Sequence, residues 1–501
     1  MELSAWIERR ADFHPERTAI HFEGRDLSYG ELALRVAASA AALEHGLGIG
    51  RGDRVAHLGY NSPDFIAVLF ACARLGAMLV PLNWRLAAPE HAFILGDCQP
   101  SAILVEDDFI AHVEGLREAL GECALVALES AAEGWLGWQD LLGAASDEVR
   151  GPAADYASPL LLVYTAGTTG RPKGAVLKQE AILYNAINST TMHDLTGADH
   201  VLTTLPLFHV GGLNIQTTPA LHAGATITLQ RRFEPGAALR AIAERRPTLA
   251  VLVPATIQAL IDHPDWETTD LSCLRMITTG STFVPHALIE AVHRRGVPVI
   301  QVYGSTETSP IAIYLPLGDA HRKVGSTGKP ALHCAARIVR PDGADVAPGE
   351  RGEILVQGAN VMSEYWGNPE ATEAALEGGW FHTGDIGHQD AEGYYYVDER
   401  KDDVIISGSE NIYPAELENL LAACPEIGEA AVVGRRDERW GEVPVAVVVL
   451  KEAATLDRDG VLALFEGRLA AYKQPRDVLF MAALPRNAMG KVLKYRLREM
   501  V

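Results

Sequence analysis

The sequence predicts a large N-terminal α/β domain with helix-covered parallel sheets and an antiparallel β region near its end, followed by a small α+β C-terminal domain. Two patterns lead to this prediction. Strand-like apolar segments alternate with helix-like segments over roughly the first two thirds of the chain. From about residue 340, Pro-Asp-Gly and Pro-Gly-Glu turns separate short apolar runs, which is typical of antiparallel strands. At 501 residues, the chain is also longer than one hydrophobic core usually serves.

The first helices carry clear start signals. Ser28 and Glu31 have the spacing of a capping box, which predicts a helix running towards Glu44. Pro63 follows Asn61-Ser62 and suits the first position of another helix. Strands are predicted at residues 53–58, 77–80, 160–164, 201–205, 226–229, 249–253, 276–279 and 299–302.

A charged segment, residues 398–403, separates the antiparallel region from the last part of the chain. We therefore place the domain boundaries at 1–399 and 404–501, with a hinge at 400–403. The smaller domain is predicted to contain helices at 414–423 and 459–471, strands at 430–433, 443–450 and 478–480, and a basic helix from Lys491.

Composition excludes some classes of protein. The formal net charge of -22 argues against general nucleic-acid binding, which needs a basic face. The six cysteines are scattered without a C-x-x-C pair, which disfavours a zinc site and fits a reducing compartment. The N-terminus lacks the apolar core of a signal peptide, and Arg74 interrupts the most apolar long window, so no membrane span is expected. These features predict a cytoplasmic enzyme.

The segment Tyr164–Ala175 is the strongest chemical signal. It follows an apolar strand and combines glycines, three threonine hydroxyls and Lys173 in one loop. Exposed backbone N–H groups, hydroxyls and an ammonium suit phosphate oxygens. The spacing differs from a Walker A loop, because Gly170 is followed by Arg-Pro-Lys. The alternative is a glycine-rich surface turn, but the hydroxyls and Lys173 favour a polyphosphate site.

Four further segments are ambiguous when each is taken alone. Tyr303–Thr308 could present Glu307 to Mg²⁺, or it could be a turn with a solvated carboxylate. Asp385 could bind ribose hydroxyls, although a helix cap or Asx-turn is the more common explanation of such a residue. His209 lies in an apolar run and could be an ordinary core histidine, and Lys491 could be a solvated terminal lysine.

Together and in this order, these segments closely resemble the motifs of the adenylate-forming acyl- and aryl-CoA ligases, over essentially the whole chain. The matching segments are Tyr164–Ala175, Tyr303–Glu307, His382–Asp385, Arg400–Glu416 and Gly490-Lys491. The resemblance implies ATP, Mg²⁺ and coenzyme A as partners and two half-reactions. A carboxylate attacks the α-phosphorus of ATP to give acyl-adenylate and pyrophosphate, and a thiol then takes the acyl group and releases AMP.

The resemblance also implies roles for particular residues around ATP. Glu307, with Thr165, would hold Mg²⁺, and Thr306 would contact the α-phosphate. Asp385 and Arg400 would bind the ribose. Thr165, Thr168, Thr169 and Lys173 would hold the β- and γ-phosphates, and Gly280, Ser281, Thr282 and Tyr303 would flank adenine. The other residues assigned to the nucleotide site are Gly167, Gly170, Gly304 and Ser305.

By the same resemblance, Lys491 would bridge the attacking carboxylate and the α-phosphate, carried by a mobile small domain that turns about Asp402. Candidates for coenzyme A are Gly408 at the pantetheine tunnel and Arg85, Trp440 and Arg476 at the nucleotide. Two positions depart from the family pattern. Ala166 replaces a serine in the phosphate loop, and Ser409 replaces the second glycine of the tunnel pair.

The acid pocket is expected to be mainly apolar. Its predicted lining is Tyr184, Phe208, His209, Gly212, Thr279, Gly280 and Gly304. These residues lie at position 184 and in segments 208–213, 279–283 and 304–311, and segment 254–258 is also expected to line the pocket. None of these segments contains an arginine or lysine that could pair with a second carboxylate, which favours an apolar monocarboxylic acid, fatty or aromatic. The small glycines are expected to leave room for a chain or a ring. Three points stay open: transfer to a carrier protein, luciferase-like oxidation of the adenylate, and a homodimer.

Overall fold

The computed structural model describes residues 1–130, 132–144, 154–165, 172–281, 284–407, 410–437, 440–466, 468–469, 473–486 and 491–501. Four sheets organise this part of the chain. In the larger portion, two mostly parallel sheets pack with helices, and a smaller antiparallel sheet follows them. A mixed sheet forms the C-terminal portion. The predicted fold class is confirmed.

Sheets A and B are the two mostly parallel sheets. Each has a parallel centre and at least one antiparallel edge. In spatial order, sheet A consists of Lys329–Pro330, Ile313–Tyr314, Val299–Tyr303, Met276–Gly280, Leu249–Val251, His200–Thr203, Thr226–Leu229, Thr18–Phe22 and Arg25–Ser28. Sheet B consists of Glu364–Tyr365, Lys173–Lys178, Pro159–Thr165, Met78–Pro81, Arg54–Leu58, Ala102–Val105, Ala124–Ala127 and Leu136–Gly137.

Sheets C and D follow in the chain. Sheet C is an antiparallel meander of Cys334–Val339, Gly352–Gly358, Phe381–Gln389 and Tyr395–Arg400. Sheet D contains Glu410–Ile412, Ile405–Ser407, Gly441–Leu450 and Ile427–Asp437, and Asp477–Phe480 pairs in parallel with Gly441–Leu450. Sheet D has its own core, which includes Leu417, Val432 and Phe465.

Helices join and cover these sheets. They span Ser4–Phe13, Tyr29–Ala41, Pro63–Leu75, Ala88–Cys98, Ile110–Glu114, Arg117–Leu120, Trp138–Ala144, Gln179–His193, Val210–Gly212, Thr218–Ala223, Pro235–Arg245, Pro254–Ile261, His286–His293, Pro369–Ala375, Pro414–Ala422, Arg458–Ala463 and Lys494–Arg498. Helix Pro63–Leu75 is buried on nearly every side, and the largest core includes it together with residues of sheets A and B. In the described residues, no helix has the length and apolar character needed to cross a membrane.

Two predicted helices differ from the structure. The helix expected over 459–471 spans Arg458–Ala463, after which the chain turns. Apolar residues continue in the sequence after Ala463 because Phe465, which lies in the turn after the helix, is also buried in the core of sheet D. The terminal helix begins at Lys494 and not at Lys491, so Lys491 lies in a non-helical segment before it.

Candidate active site

One large cleft brings together most of the described residues that the sequence singled out. It lies where the carboxyl ends of sheet A strands face the Pro159–Lys178 hairpin, sheet C and the C-terminal segment. Its volume is about 3570 Å³. Pockets for single small ligands measure roughly 300–1000 Å³, so this cleft has room for several ligands at once.

Thr165, Lys173 and Glu307 form one corner of the cleft. Thr165 and Lys173 are register partners in the antiparallel pair of sheet B, so the predicted phosphate loop connects two strands of a hairpin. Glu307 lies in a short 3₁₀ turn, Thr306–Thr308, directly after strand Val299–Tyr303. The Thr165 hydroxyl approaches Glu307 Oε1 at 3.5 Å, so the hairpin and the carboxylate are neighbours.

Gly304 allows the turn that presents Glu307. Its φ is 158°, and a Cβ atom there would lie only 1.6 Å from the Pro310 carbonyl oxygen. No side chain could be accommodated without moving backbone. The Tyr303–Glu307 segment therefore keeps its path because residue 304 has no side chain.

Tyr303, Asp385 and Arg400 form a second group. Asp385 and Arg400 are register partners in sheet C, and their side chains form an ion pair of 2.8 Å. The Tyr303 hydroxyl donates to Asp385 Oδ2 at 2.8 Å, and Arg400 Nη1 donates to the Thr383 carbonyl at 2.8 Å. Burial raises the pKa of the Asp385 carboxyl, while Arg400 and Tyr303 act in the opposite direction. This group offers carboxylate oxygens inside the cleft.

Lys491 lines the same cleft and interacts electrostatically with this group. The pKa of its ammonium is lowered, mainly by loss of hydration in the cleft and also by the positive charge of Arg400, while the carboxylate of Asp385 acts to raise it. The C-terminal segment therefore brings the predicted lysine to the Asp385 side of the cleft. Asp402, the predicted pivot, lies in a 3₁₀ turn at Lys401–Asp403 between sheets C and D.

His209 occupies the apolar part of the cleft with Phe208. Its Nδ1 accepts a hydrogen bond of 3.0 Å from the Gly211 N–H, so that nitrogen carries no proton. Burial lowers the pKa of His209 to about 4. The ring is therefore neutral near pH 7 with its proton on Nε2, which leaves Nε2–H as a donor.

The glycines near His209 do not serve the purpose expected of them. A Cβ atom on Gly212 would lie 2.2 Å from the Pro206 carbonyl oxygen, and one on Gly280 would lie 2.4 Å from that of Val302. Neighbouring backbone already fills the space beside them. They line the cleft, but their small size allows close backbone packing and does not provide the expected room for a chain or a ring.

Several predicted residues lie elsewhere. Tyr184 packs edge-on against His333 with ring centres 5.2 Å apart, and Thr279 is fully buried; neither is among the described residues that line the cleft. Arg85 lies at the cleft with its guanidinium 4.7 Å from the Trp84 ring. Trp440 and Arg476 are not among the described cleft residues, so this arrangement does not bring them to Arg85.

Ser281, Ser305 and Thr306 line the cleft as expected. The remaining predictions fall outside the described residues and concern Ala166, Gly167, Thr168, Thr169, Gly170, Thr282, Gly408 and Ser409.

Three polar residues of the site were missed by the sequence reasoning. Tyr365 donates its hydroxyl to Glu307 Oε1 at 2.9 Å. Gln301, two residues before Tyr303, lines the cleft with a buried Oε1 that has no hydrogen-bond partner in the described structure. Lys494 contacts Glu399 and Glu418. Of these three residues, only Gln301 could have been predicted from the sequence. Side chains alternate along a strand, so Gln301 lies on the same face as Tyr303, which was already assigned to the site.

Known proteins resemble this chain over its full length. The family described as AMP-binding enzyme matches residues 7–366, and the AMP-binding enzyme C-terminal domain matches residues 416–491. An indoleacetate–CoA ligase of Aromatoleum aromaticum is 56% identical, with 100% of this chain and 98% of the relative covered.

Two solved structures share this architecture. The anthranilate CoA ligase AuaEII in complex with anthranoyl-AMP superposes with a TM-score of 0.93 at 27% identity, covering 100% of this chain and 97% of the other. The o-succinylbenzoate CoA synthetase of Bacillus subtilis, solved with ATP and magnesium ion, gives a TM-score of 0.88 at 32% identity, covering 99% of both chains.

Proposed function

The chain belongs to the AMP-binding enzyme family and is an AMP-forming acid–thiol ligase, and we propose that its acid is an aryl-substituted acetic acid. It uses ATP, Mg²⁺ and coenzyme A to activate an apolar monocarboxylic acid as acyl-adenylate and then to form the CoA thioester. The observation that carries this conclusion is the meeting of Lys173, Glu307, Asp385, Arg400 and Lys491 in one cleft.

We assign the polar corner of the cleft to the triphosphate. Lys173 would neutralise phosphate oxygens, and Thr306 would contact the α-phosphate. Glu307 and Thr165 fit Mg²⁺, because a buried carboxylate and a hydroxyl are hard oxygen donors and Mg²⁺ binds triphosphates through few protein oxygens. When bound, Mg²⁺ would neutralise charge on the phosphates.

The nucleoside would lie along Tyr303 and sheet C. Asp385 is already hydrogen bonded by Tyr303 and paired with Arg400, so its position is fixed before a ribose hydroxyl donates to it. The unpartnered Oε1 of Gln301 is an acceptor suited to an exocyclic amino group, as adenine carries. These contacts orient the α-phosphorus without taking part in the bond changes.

Lys491 and His209 would act on the reacting carboxylate. A positioned ammonium stabilises negative charge that accumulates as the carboxylate oxygen attacks phosphorus and pyrophosphate leaves. His209 would donate its Nε2–H to the carboxylate and hold it in line for attack. Because His209 is neutral, it would orient the acid without adding a charge to the apolar pocket.

Transfer to coenzyme A would require a second arrangement of residues 404–501. Lys491 lines the cleft in this structure, whereas Trp440 and Arg476, proposed for the coenzyme A nucleotide, do not. A turn about Asp402 would exchange these two sets, with the large domain ending near 399. The same movement would remove Lys491 once the adenylate has formed.

The identity of the acid is supported by similarity and by the cleft. A ligase 56% identical over the whole chain is named for indoleacetate, and AuaEII is named for anthranilate. Phe208, Ile215 and Val302 are apolar residues that line the cleft together with His209.

A competition between acids tests this proposal. AMP release and acyl-CoA formation would be measured for indole-3-acetate, phenylacetate, anthranilate, octanoate and palmitate, each with and without coenzyme A. We expect kcat/KM for an aryl acetate to exceed that for palmitate by at least about 100-fold, the upper range of discrimination by an apolar pocket. Equal or better use of palmitate would contradict the aryl proposal. AMP release without any CoA thioester would favour transfer to a carrier protein or oxidation.

Location and assembly are proposed more generally. All six cysteines are free thiols, which supports a reducing compartment such as the cytoplasm. A homodimer is a prediction for sedimentation velocity to test.

A further inference from the structure

Tyr365 lies beside the carboxylate assigned to Mg²⁺. Its hydroxyl donates to Glu307 Oε1 at 2.9 Å, and the side chains of both residues are buried. A tyrosine hydroxyl is protonated near neutral pH, so in this contact it is the donor and the carboxylate is the acceptor. A charge-assisted hydrogen bond of this kind is stronger than one between neutral groups.

Both hydroxyls near Glu307 approach the same oxygen. Thr165 reaches Oε1 at 3.5 Å from the first strand of the hairpin, and Tyr365 reaches Oε1 from the edge strand Glu364–Tyr365, which pairs with the second strand of the hairpin. Among the described residues, no hydrogen bond is made to Oε2. One carboxylate oxygen is thus held by the protein, while the other is available to an external ligand.

The position of Tyr365 is itself fixed by the hairpin. Its backbone pairs with Ala175 in sheet B, and the neighbouring Trp366 N–H donates to the Gly174 carbonyl at 2.7 Å. Its ring centre lies 5.2 Å from Lys173 Nζ. The Met362 N–H, three residues earlier, donates to the Glu307 carbonyl oxygen at 2.7 Å. One short segment therefore ties Lys173 and the base of the phosphate loop to Glu307.

We propose that Tyr365 is a positioning residue that holds the Glu307 carboxylate in the orientation needed for Mg²⁺·ATP. This inference rests on the proposed role of Glu307 as the metal ligand. It predicts that the hydroxyl acts through Glu307 on the metal and leaves contacts with the nucleoside unchanged.

Binding without turnover tests this role. ATP binding to Tyr365→Phe would be titrated calorimetrically at increasing Mg²⁺ in the absence of acid and coenzyme A, alongside AMP binding in EDTA. We expect the Mg²⁺ concentration for half-maximal ATP binding to rise about 10-fold, as for other partners of metal ligands. AMP binding should be unchanged. The variant keeps the aromatic ring, so core packing is preserved.

Two further variants make the result specific. Tyr29→Phe is the matched control, because Tyr29 is a buried tyrosine whose hydroxyl donates to the Ala225 carbonyl at 2.7 Å, within the structure and not to Glu307. It should bind ATP with the wild-type Mg²⁺ dependence. Glu307→Gln tests the premise and should weaken Mg²⁺-dependent binding strongly.

The outcomes separate the two levels of the proposal. If Glu307→Gln changes the Mg²⁺ dependence and Tyr365→Phe does not, the role of Tyr365 is overturned while that of Glu307 stands. If Glu307→Gln has no effect, both are overturned. If Tyr365→Phe weakens AMP binding in EDTA as much as Mg²⁺·ATP binding, the tyrosine is only structural.

Discussion

Lys491 and Lys494 are only three residues apart, yet their surroundings differ in kind. Lys491 lines the cleft near Arg400 and Asp385, and its pKa is lowered. Lys494 lies in an interior ion-pair cluster, 2.9 Å from Glu399 and 3.0 Å from Glu418. Burial acts to lower the pKa of Lys494 as well, but the two carboxylates outweigh it and the net shift is upward. Neighbouring charge thus decides the direction of the shift.

The two lysines interact electrostatically with adjacent residues of one strand. Arg400, the last residue of Tyr395–Arg400, belongs to the Asp385 group near Lys491, whereas Glu399 pairs with Lys494. The Lys494 cluster fixes the chain just after Lys491. Its buried and paired charges suit a contact that stabilises this arrangement of the chain, and the cleft location of Lys491 suits a group that acts on a ligand.

The largest effect is expected from Lys491→Ala. Removing the proposed transition-state cation should reduce adenylate formation by about 10²- to 10³-fold, as loss of one preorganised donor does elsewhere. Reaction of a supplied acyl-adenylate with coenzyme A should remain near wild type, because that step does not need the cation. Pyrophosphate exchange and single-turnover thioester formation measure the two steps. Equal loss of both would refute the assignment.

Lys494→Met should act on stability. It leaves Glu399 and Glu418 buried without their cation, and breaking such a pair costs about 3–5 kcal/mol. Lys473→Met is a suitable control, since Lys473 pairs with the more exposed Glu416 at 2.8 Å and should cost below about 1 kcal/mol. Urea denaturation followed by circular dichroism gives both free energies of unfolding. Similar losses in the two variants would mean that burial of Glu399 and Glu418 adds nothing to the stability provided by Lys494.

The sequence was informative where the signal is local. The capping box at Ser28 and Glu31 is confirmed, and the strand predicted at 226–229 has the observed ends. Ordered motifs also identified the cleft residues that lie on different sheets, since the family resemblance supplied the long-range arrangement. Periodicity failed near Phe465, where an apolar residue is buried from a turn.

Other features depend on contacts that are distant in sequence. Tyr365 reaches Glu307 only because an edge strand of two residues pairs with the phosphate hairpin. Position 212 requires glycine because the Pro206 carbonyl oxygen lies beside it. The sequence pattern does not reveal this packing contact. In the sequence, Lys494 has no feature that distinguishes it from a solvated basic residue, because its partners Glu399 and Glu418 are brought to it only by the fold.

The pH dependence should distinguish the lysine environments further. Lys491 acts in its protonated form, and its pKa lies below that of an ordinary lysine. The adenylation rate should therefore be maximal at pH values below that pKa and should fall as the pH rises through it. Pyrophosphate exchange between pH 7 and about 10.5 should show this decline, with its midpoint below the usual value near 10.4. Lys491→Arg keeps its charge throughout this range and should be slower but without the decline. An unchanged decline in Lys491→Arg would assign it to another group.

The smallest effect is expected from a matched pair of substitutions at Lys494. Glu399→Gln weakens a contact between sheet C and the terminal helix, whereas Glu418→Gln weakens one between helix Pro414–Ala422 and that helix, both within the C-terminal portion. If residues 404–501 turn about Asp402, the Lys494–Glu399 contact must separate, whereas the Lys494–Glu418 contact need not. Glu399→Gln should then change the ratio of adenylation to thioesterification rates by about twofold to fivefold, the result of roughly 0.5–1 kcal/mol in a conformational equilibrium. Glu418→Gln should lower stability but keep the ratio, because its contact moves as one body. Equal changes in the ratio would mean that Lys494 supports Lys491 locally and that Glu399 has no part in the movement.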